Sequence, residues 1–190
     1  IANGIDCNTF LAVVNFLTED NIEVDYDYGD ISIVSVINYL KNAHSYFLEF
    51  KLPQIRNKLI EAVNNQDQSI PYSSIFLKFF DEYVMEVRKH MEYEDKVTFP
   101  YVLKLLNGEK VSNYTIAVFR NHHNDIESKL VELKNILIKY YPDNGNSYLL
   151  TEVLFDIFSC EMDLATHNQV EDFLFIPEVE AVERKIKMKL

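Results

Sequence analysis

Two stretches decide the reading: HMEYEDKVTFPYV (His90 to Val102) and HNQVEDFLFIPEV (His167 to Val179). They agree at His, Glu, Asp, Pro and Val with the same spacing, so the chain writes His-x3-Glu-Asp-x4-Pro-x-Val twice. Residues four apart on a helix are surface neighbours, so each His-x3-Glu pair aims two polar side chains at one place. In each copy that pair interrupts an apolar stripe: His90 and Glu94 lie between Val87 and Val97, His167 and Glu171 between Leu164 and Leu174. A carboxylate on an apolar helix face is costly to bury unless a cation or strong hydrogen bonds compensate it.

Working outward, the helical period organises nearly the whole chain. The spacing predicts a short helix over about 7–18, capped by Asp6 or Asn8, and four long helices over about 31–64, 72–107, 112–140 and 147–187. The first long stripe runs Ile33, Ile37, Leu40, Phe47; the third runs Ile116, Phe119, Ile126, Leu130, Leu133, Leu137. NNQDQSIPYS, NGEKVSN and PDNGNS separate the long stretches as loops. Four Gly and five Pro in 190 residues suit long helices better than a turn-rich β fold. Four amphipathic helices with short connections imply an all-α, up-down-up-down four-helix bundle. Pro53, Pro100 and Pro177 are expected to kink or end their helices. Residues 31–190 read as the bundle. Residues 1–30 read as the remnant of an N-terminal domain followed by the acidic linker EDNIEVDYDYGD.

The other long helices bring histidines to the same layer. His44 continues the first stripe four residues after Leu40. On the third, adjacent His122 and His123 cannot both face the core, because neighbours are about 100° apart. The stripe phase favours His123, while aligning Lys51-Leu52 with Lys129-Leu130 favours His122. Each motif copy follows a helix that offers a His, so the chain reads as two helix-pair halves, each giving a His plus His-x3-Glu. The predicted ligand set is His44, His90, Glu94, His123, His167 and Glu171. Four imidazoles and two carboxylates suit iron, manganese or zinc, and two carboxylates among four His imply two ions bridged by the Glu side chains.

Neighbouring residues carry plainer readings. Glu127, at the stripe edge, reads as solvated, as do Asp95 and Asp172, which could otherwise orient a ligand His. Cys160 reads as a buried thiol, and Tyr83 and Tyr101 as core residues near the ligand layer. Cys7 and Cys160 are far apart and form no zinc-like pattern. A net charge of −12 argues against nucleic acid and against an anionic membrane surface. No apolar run reaches spanning length and no signal peptide is visible, so a cytoplasmic location is expected.

With these motifs the sequence resembles the hemerythrin-like (HHE) cation-binding family, and within it the di-iron repair-of-iron-centres proteins. HSYFLEFKLP (His44–Pro53), HMEYEDKVTFP (His90–Pro100), FRNHHND (Phe119–Asp125) and HNQVEDFLFIP (His167–Pro177) carry the resemblance, over about residues 31–180. It implies a hemerythrin-like bundle with two non-haem iron ions and an oxo or hydroxo bridge, held by the six residues named above. It also implies a role under nitrosative or oxidative stress, in iron–sulfur cluster repair or in handling iron, nitric oxide or reactive oxygen. An iron–sulfur protein client and a diatomic ligand, dioxygen or nitric oxide, are the partners it implies. The alternative within the same resemblance is a non-enzymatic module that binds or senses oxygen or nitric oxide. The sequence departs from the family pattern in two places. The spacing from His44 to Leu52-Pro53 is slightly long, and the adjacent cysteines of the longer members' N-terminal domain have no counterpart.

Overall fold

A computed structural model describes residues 6–18, 31–64, 73–109, 113–121, 126–140 and 147–188. Every regular element among them is helical: α1 (Cys7–Thr18), α2 (Ile33–Ser45), α3 (Leu52–Asn64), α4 (Ser73–Tyr93), α5 (Phe99–Leu106), α6 (Ile116–Arg120), α7 (Ile126–Tyr140), α8 (Ser147–Val170) and α9 (Ile176–Lys187). Three of the four long stretches are continuous helix where the apolar spacing predicts them. The third starts at Ile116, not near 112, because Thr115 is extended, with φ −138° and ψ 155°.

The prolines neither end nor break their helices. α2 joins α3, α4 joins α5 and α8 joins α9 through single π-helical turns at Tyr46–Lys51, Glu94–Thr98 and Glu171–Phe175. In each turn a backbone N–H reaches five residues back: Leu52 to the Phe47 carbonyl, Phe99 to Glu94, Ile176 to Glu171. Each donor immediately precedes Pro53, Pro100 or Pro177. A proline in an α-helix lacks a donor and collides with the carbonyl four residues back. The wider turn relieves both, so the residue before each proline stays right-handed helical against its usual preference (Phe99 φ −66°, ψ −43°).

The chain divides into two compact units. The first comprises Ile1–Ala43, Tyr93–His123 and Ala165–Leu190. Its core gathers Ala12 and Val13 of α1 with Ile33, Val36, Ile37 and Leu40 of α2, and packs them with Phe99, Val102, Phe119, Phe175 and Val179. α1 contributes to this core. Asp6 caps it: its carboxylate accepts the Thr9 N–H at 2.8 Å, and Thr9 Oγ1 in turn accepts the Ser32 N–H at 3.0 Å. Phe99, Phe119 and Phe175 pack edge to face, with Phe175 at ring distances of 5.5 and 6.3 Å from the other two.

The second unit comprises His44–Glu92 and Asn124–Leu164. Its buried side chains include Leu52, Ile55 and Leu59 of α3, Phe76, Phe80, Tyr83 and Val87 of α4, Leu130, Leu133 and Leu137 of α7, and Val153, Ile157 and Cys160 of α8. Salt bridges tie its helices at the rim: Arg56–Asp81 at 2.7 Å, Lys58–Asp156 at 2.7 Å and Lys134–Glu161 at 2.7 Å.

Candidate metal centre

The π turns fall on the motif residues. Glu94 and Glu171 are each the first residue of a π turn, and their motif partners His90 and His167 occupy the last turns of α4 and α8. His44 closes α2, a helix of the first unit up to Ala43, one residue before Ser45 and the next π turn. A π turn adds one residue to the cycle and re-aims the side chains at its start, which is why such turns gather at functional sites.

Glu94 and Glu171 are 0% exposed, His44 and His167 2%. One ligand atom from each of these four residues lies within 4.8 Å of all the others. Ligands of one ion, each about 2.1 Å from it, are separated from one another by at most about 4.2 Å, so the group is close to, and slightly wider than, one coordination sphere. Within the group, His167 Nε2 stands 3.3 Å from Glu171 Oε1. Burying two carboxylates is costly unless a cation or strong hydrogen bonds offset their charge. Imidazole and carboxylate donors without thiolate fit iron, zinc or manganese.

Four of the six predicted ligands are therefore brought together. The group draws His44 from α2, Glu94 from the first motif copy, and His167 and Glu171 from the second. Both Glu residues belong to the group. His90 is half-buried one turn before Glu94. His123, His122 and the side chain of Glu127 lie outside the described residues.

Of the plainer readings, Asp172 is exposed and Asp95 half-buried. Tyr101 donates to Glu183 Oε1 at 2.6 Å and is a structural residue. Glu183 also accepts the Ile116 N–H at 2.8 Å, so it caps α6, which Arg120 ties further to α9 through Glu180 at 2.8 Å. Sequence reasoning missed the hydroxyls beside Glu94. Thr98, one turn after Glu94 and fully buried, shares a hydrogen bond of 3.0 Å with the Tyr114 hydroxyl, and Tyr93 donates to Tyr114 at 3.4 Å. Burial first, then Tyr93 and the Glu94 charge, push the Tyr114 phenol well above its ordinary range, against the lowering pull of its hydrogen bond with Thr98. The signal that could have found Thr98 is its four-residue offset from Glu94 on the core face.

The model of the Hemerythrin HHE cation binding domain family matches residues 35–179. The chain belongs to this hemerythrin HHE family. The matched segment runs from α2 into α9 and contains all six predicted ligands, the three π turns and their prolines. Searches of curated proteins and of solved structures returned no match. No described helix of this hemerythrin-like chain is long and apolar enough to cross a membrane.

Proposed function

We propose that this protein holds two non-haem iron ions in a hemerythrin-like, up-down-up-down bundle formed by residues 31–190. The supporting observation is the group His44, Glu94, His167 and Glu171, buried and mutually within 4.8 Å. In this reading His44, His90, Glu94, His123, His167 and Glu171 would together hold the two ions. The pair of ions would supply redox chemistry toward dioxygen or nitric oxide. The chain itself supplies the rest. The two carboxylates would cancel half of the charge of a divalent pair, and the imidazoles would add nitrogen donors. Phe99, Phe175 and Val170, buried beside the ligand-bearing turns, keep the surroundings dry and sharpen the electrostatics there. Thr98, fixed by Tyr114, packs one turn from Glu94 and limits how far that carboxylate's turn can shift.

The resemblance to the repair-of-iron-centres proteins favours a role in iron–sulfur cluster repair or in iron, nitric oxide and reactive-oxygen handling, in the cytoplasm, with an iron–sulfur protein as client. Metal analysis of protein purified without chelator tests the centre itself. About two transition-metal ions per chain are expected, and His90→Ala with His167→Ala should lose them. Less than one ion per chain, unchanged by those substitutions, would sink the di-metal reading. Stopped-flow mixing of reduced, iron-loaded protein with dioxygen then tests the activity: reversible uptake without turnover would replace repair chemistry with the non-enzymatic carrier or sensor.

A further inference from the structure

α8 is apolar on two opposite faces. Its inner line, Val153, Ile157, Cys160 and Leu164, is buried in the second unit. Half a turn round the helix, Tyr148, Phe155 and Met162 are 81%, 74% and 71% exposed. Phe158, beside that line, is 44% exposed, with the Lys134 ammonium 4.5 Å from its ring centre. An outer line of large apolar residues at seven-residue spacing is the seam of a helix packed on another helix, not a solvated face. Scaled by these exposures, the four side chains offer roughly 500 Å² per chain. A pair would bury about 1,000 Å², the lower end of specific interfaces.

We propose that this face pairs with α8 of a second copy of the chain, antiparallel, about a two-fold axis at Phe155. The large residues are placed symmetrically about Phe155, seven positions to each side, so the patch is complementary to itself, as a two-fold interface requires. Antiparallel pairing sets Phe155 on the partner's Phe155 and Tyr148 on the partner's Met162, a sulfur–aromatic contact. Charge fixes the direction. In a chain of net charge −12, parallel pairing would set Glu152 near the partner's Glu152. The antiparallel register sets Glu152 against the partner's Phe158, and Lys58, at 4.0 Å from Glu152 and 2.7 Å from Asp156, offsets the acids on that flank.

Sedimentation equilibrium on the full chain should give a dimer at tens of micromolar, dissociating on dilution. Phe155→Glu with Met162→Glu should weaken association about a hundredfold or more, with helix content and metal content unchanged as the control for folding. In a Cys7→Ser background, Phe155→Cys should cross-link to its own copy under mild oxidation. Tyr148→Cys should cross-link only when mixed with Met162→Cys. A monomer at every concentration, or association indifferent to the two charged substitutions, overturns the proposal. Cross-linking of Tyr148→Cys with itself at the rate of Phe155→Cys overturns it equally, by indicating parallel pairing.

Discussion

The carbonyl oxygen of Glu94 accepts the backbone N–H of Phe99, five residues along the chain and immediately before Pro100. Glu171 and Ile176 repeat the relationship ahead of Pro177. The proline keeps the turn wide, and the wide turn sets the direction of the motif carboxylate. With alanine at position 100 an N–H returns and the α ladder can close. That rotates the preceding residues by up to about 100° against the helix that follows. Pro100→Ala is expected to leave stability within about 1 kcal/mol but to weaken metal binding at least about tenfold. Competition against a chromophoric chelator measures it. Unaltered affinity would mean that packing alone, without the proline, sets the turn.

Glu94 and Glu171 are fully buried, which makes the metal-free protein carry a cost that the loaded one does not. Glu94→Gln keeps the shape and removes the charge. The metal-free variant should be more stable than the metal-free parent by about 1–3 kcal/mol, raising its melting temperature by roughly 3–10 °C. The gain in melting temperature that the parent shows on adding iron or zinc should shrink or vanish. Thermal melts with and without metal check both. A variant that is destabilised when metal-free and still responds fully to metal would contradict the placement of Glu94 as a ligand.

The helices were legible because apolar residues recur at the helical period with little interruption, and the start of α8 and the caps of α1 follow local rules. The gathering of His44, Glu94, His167 and Glu171 was legible because polar residues on an apolar stripe have few plainer explanations. Two features were not. The π turns are set by prolines that simple rules read as helix breakers, and only the hydrogen bond across five residues reveals that the helix continues. Thr98 and Tyr114 beside Glu94 were not legible either, because side-chain convergence depends on how helices pack, which no local pattern encodes.

Glu183 joins two elements that sequence separation hides. Its carboxylate accepts the Tyr101 hydroxyl at 2.6 Å and the Ile116 N–H at 2.8 Å. The second bond satisfies a donor at the start of α6, whose own Thr115 makes no side-chain cap. Tyr101 is 6% exposed and Ile116 fully buried, so both donors lose water as well as their partner in Glu183→Ala. A loss of about 2–3 kcal/mol is expected, read from the urea midpoint. Glu183→Gln keeps an acceptor and should lose about half as much. Equal losses in the two variants would show that charge and not acceptance of the two bonds carries the effect.

Cys160 tests whether the second unit's core is closed. Its thiol is 0% exposed, and burial first of all pushes it up to about 12; Asp163 and Asp156 add to the rise and Lys51 opposes it. An acid whose folded pKa is raised favours folding while it is protonated in both states. That contribution is complete below 9.0, the ordinary thiol value, and declines as pH rises from 9.0 toward about 12, because the unfolded chain ionises first. Two outcomes follow. Iodoacetamide at pH 8 should modify the exposed Cys7 and leave Cys160 intact until denaturant is added, as mass spectrometry of the peptides would resolve. Cys160→Ala, which removes the titrating group, should flatten part of the fall in stability above pH 9 while costing some core packing at neutral pH. Rapid modification of Cys160 in the native protein would require an opening of α8 that its buried line, Val153, Ile157 and Leu164, does not allow.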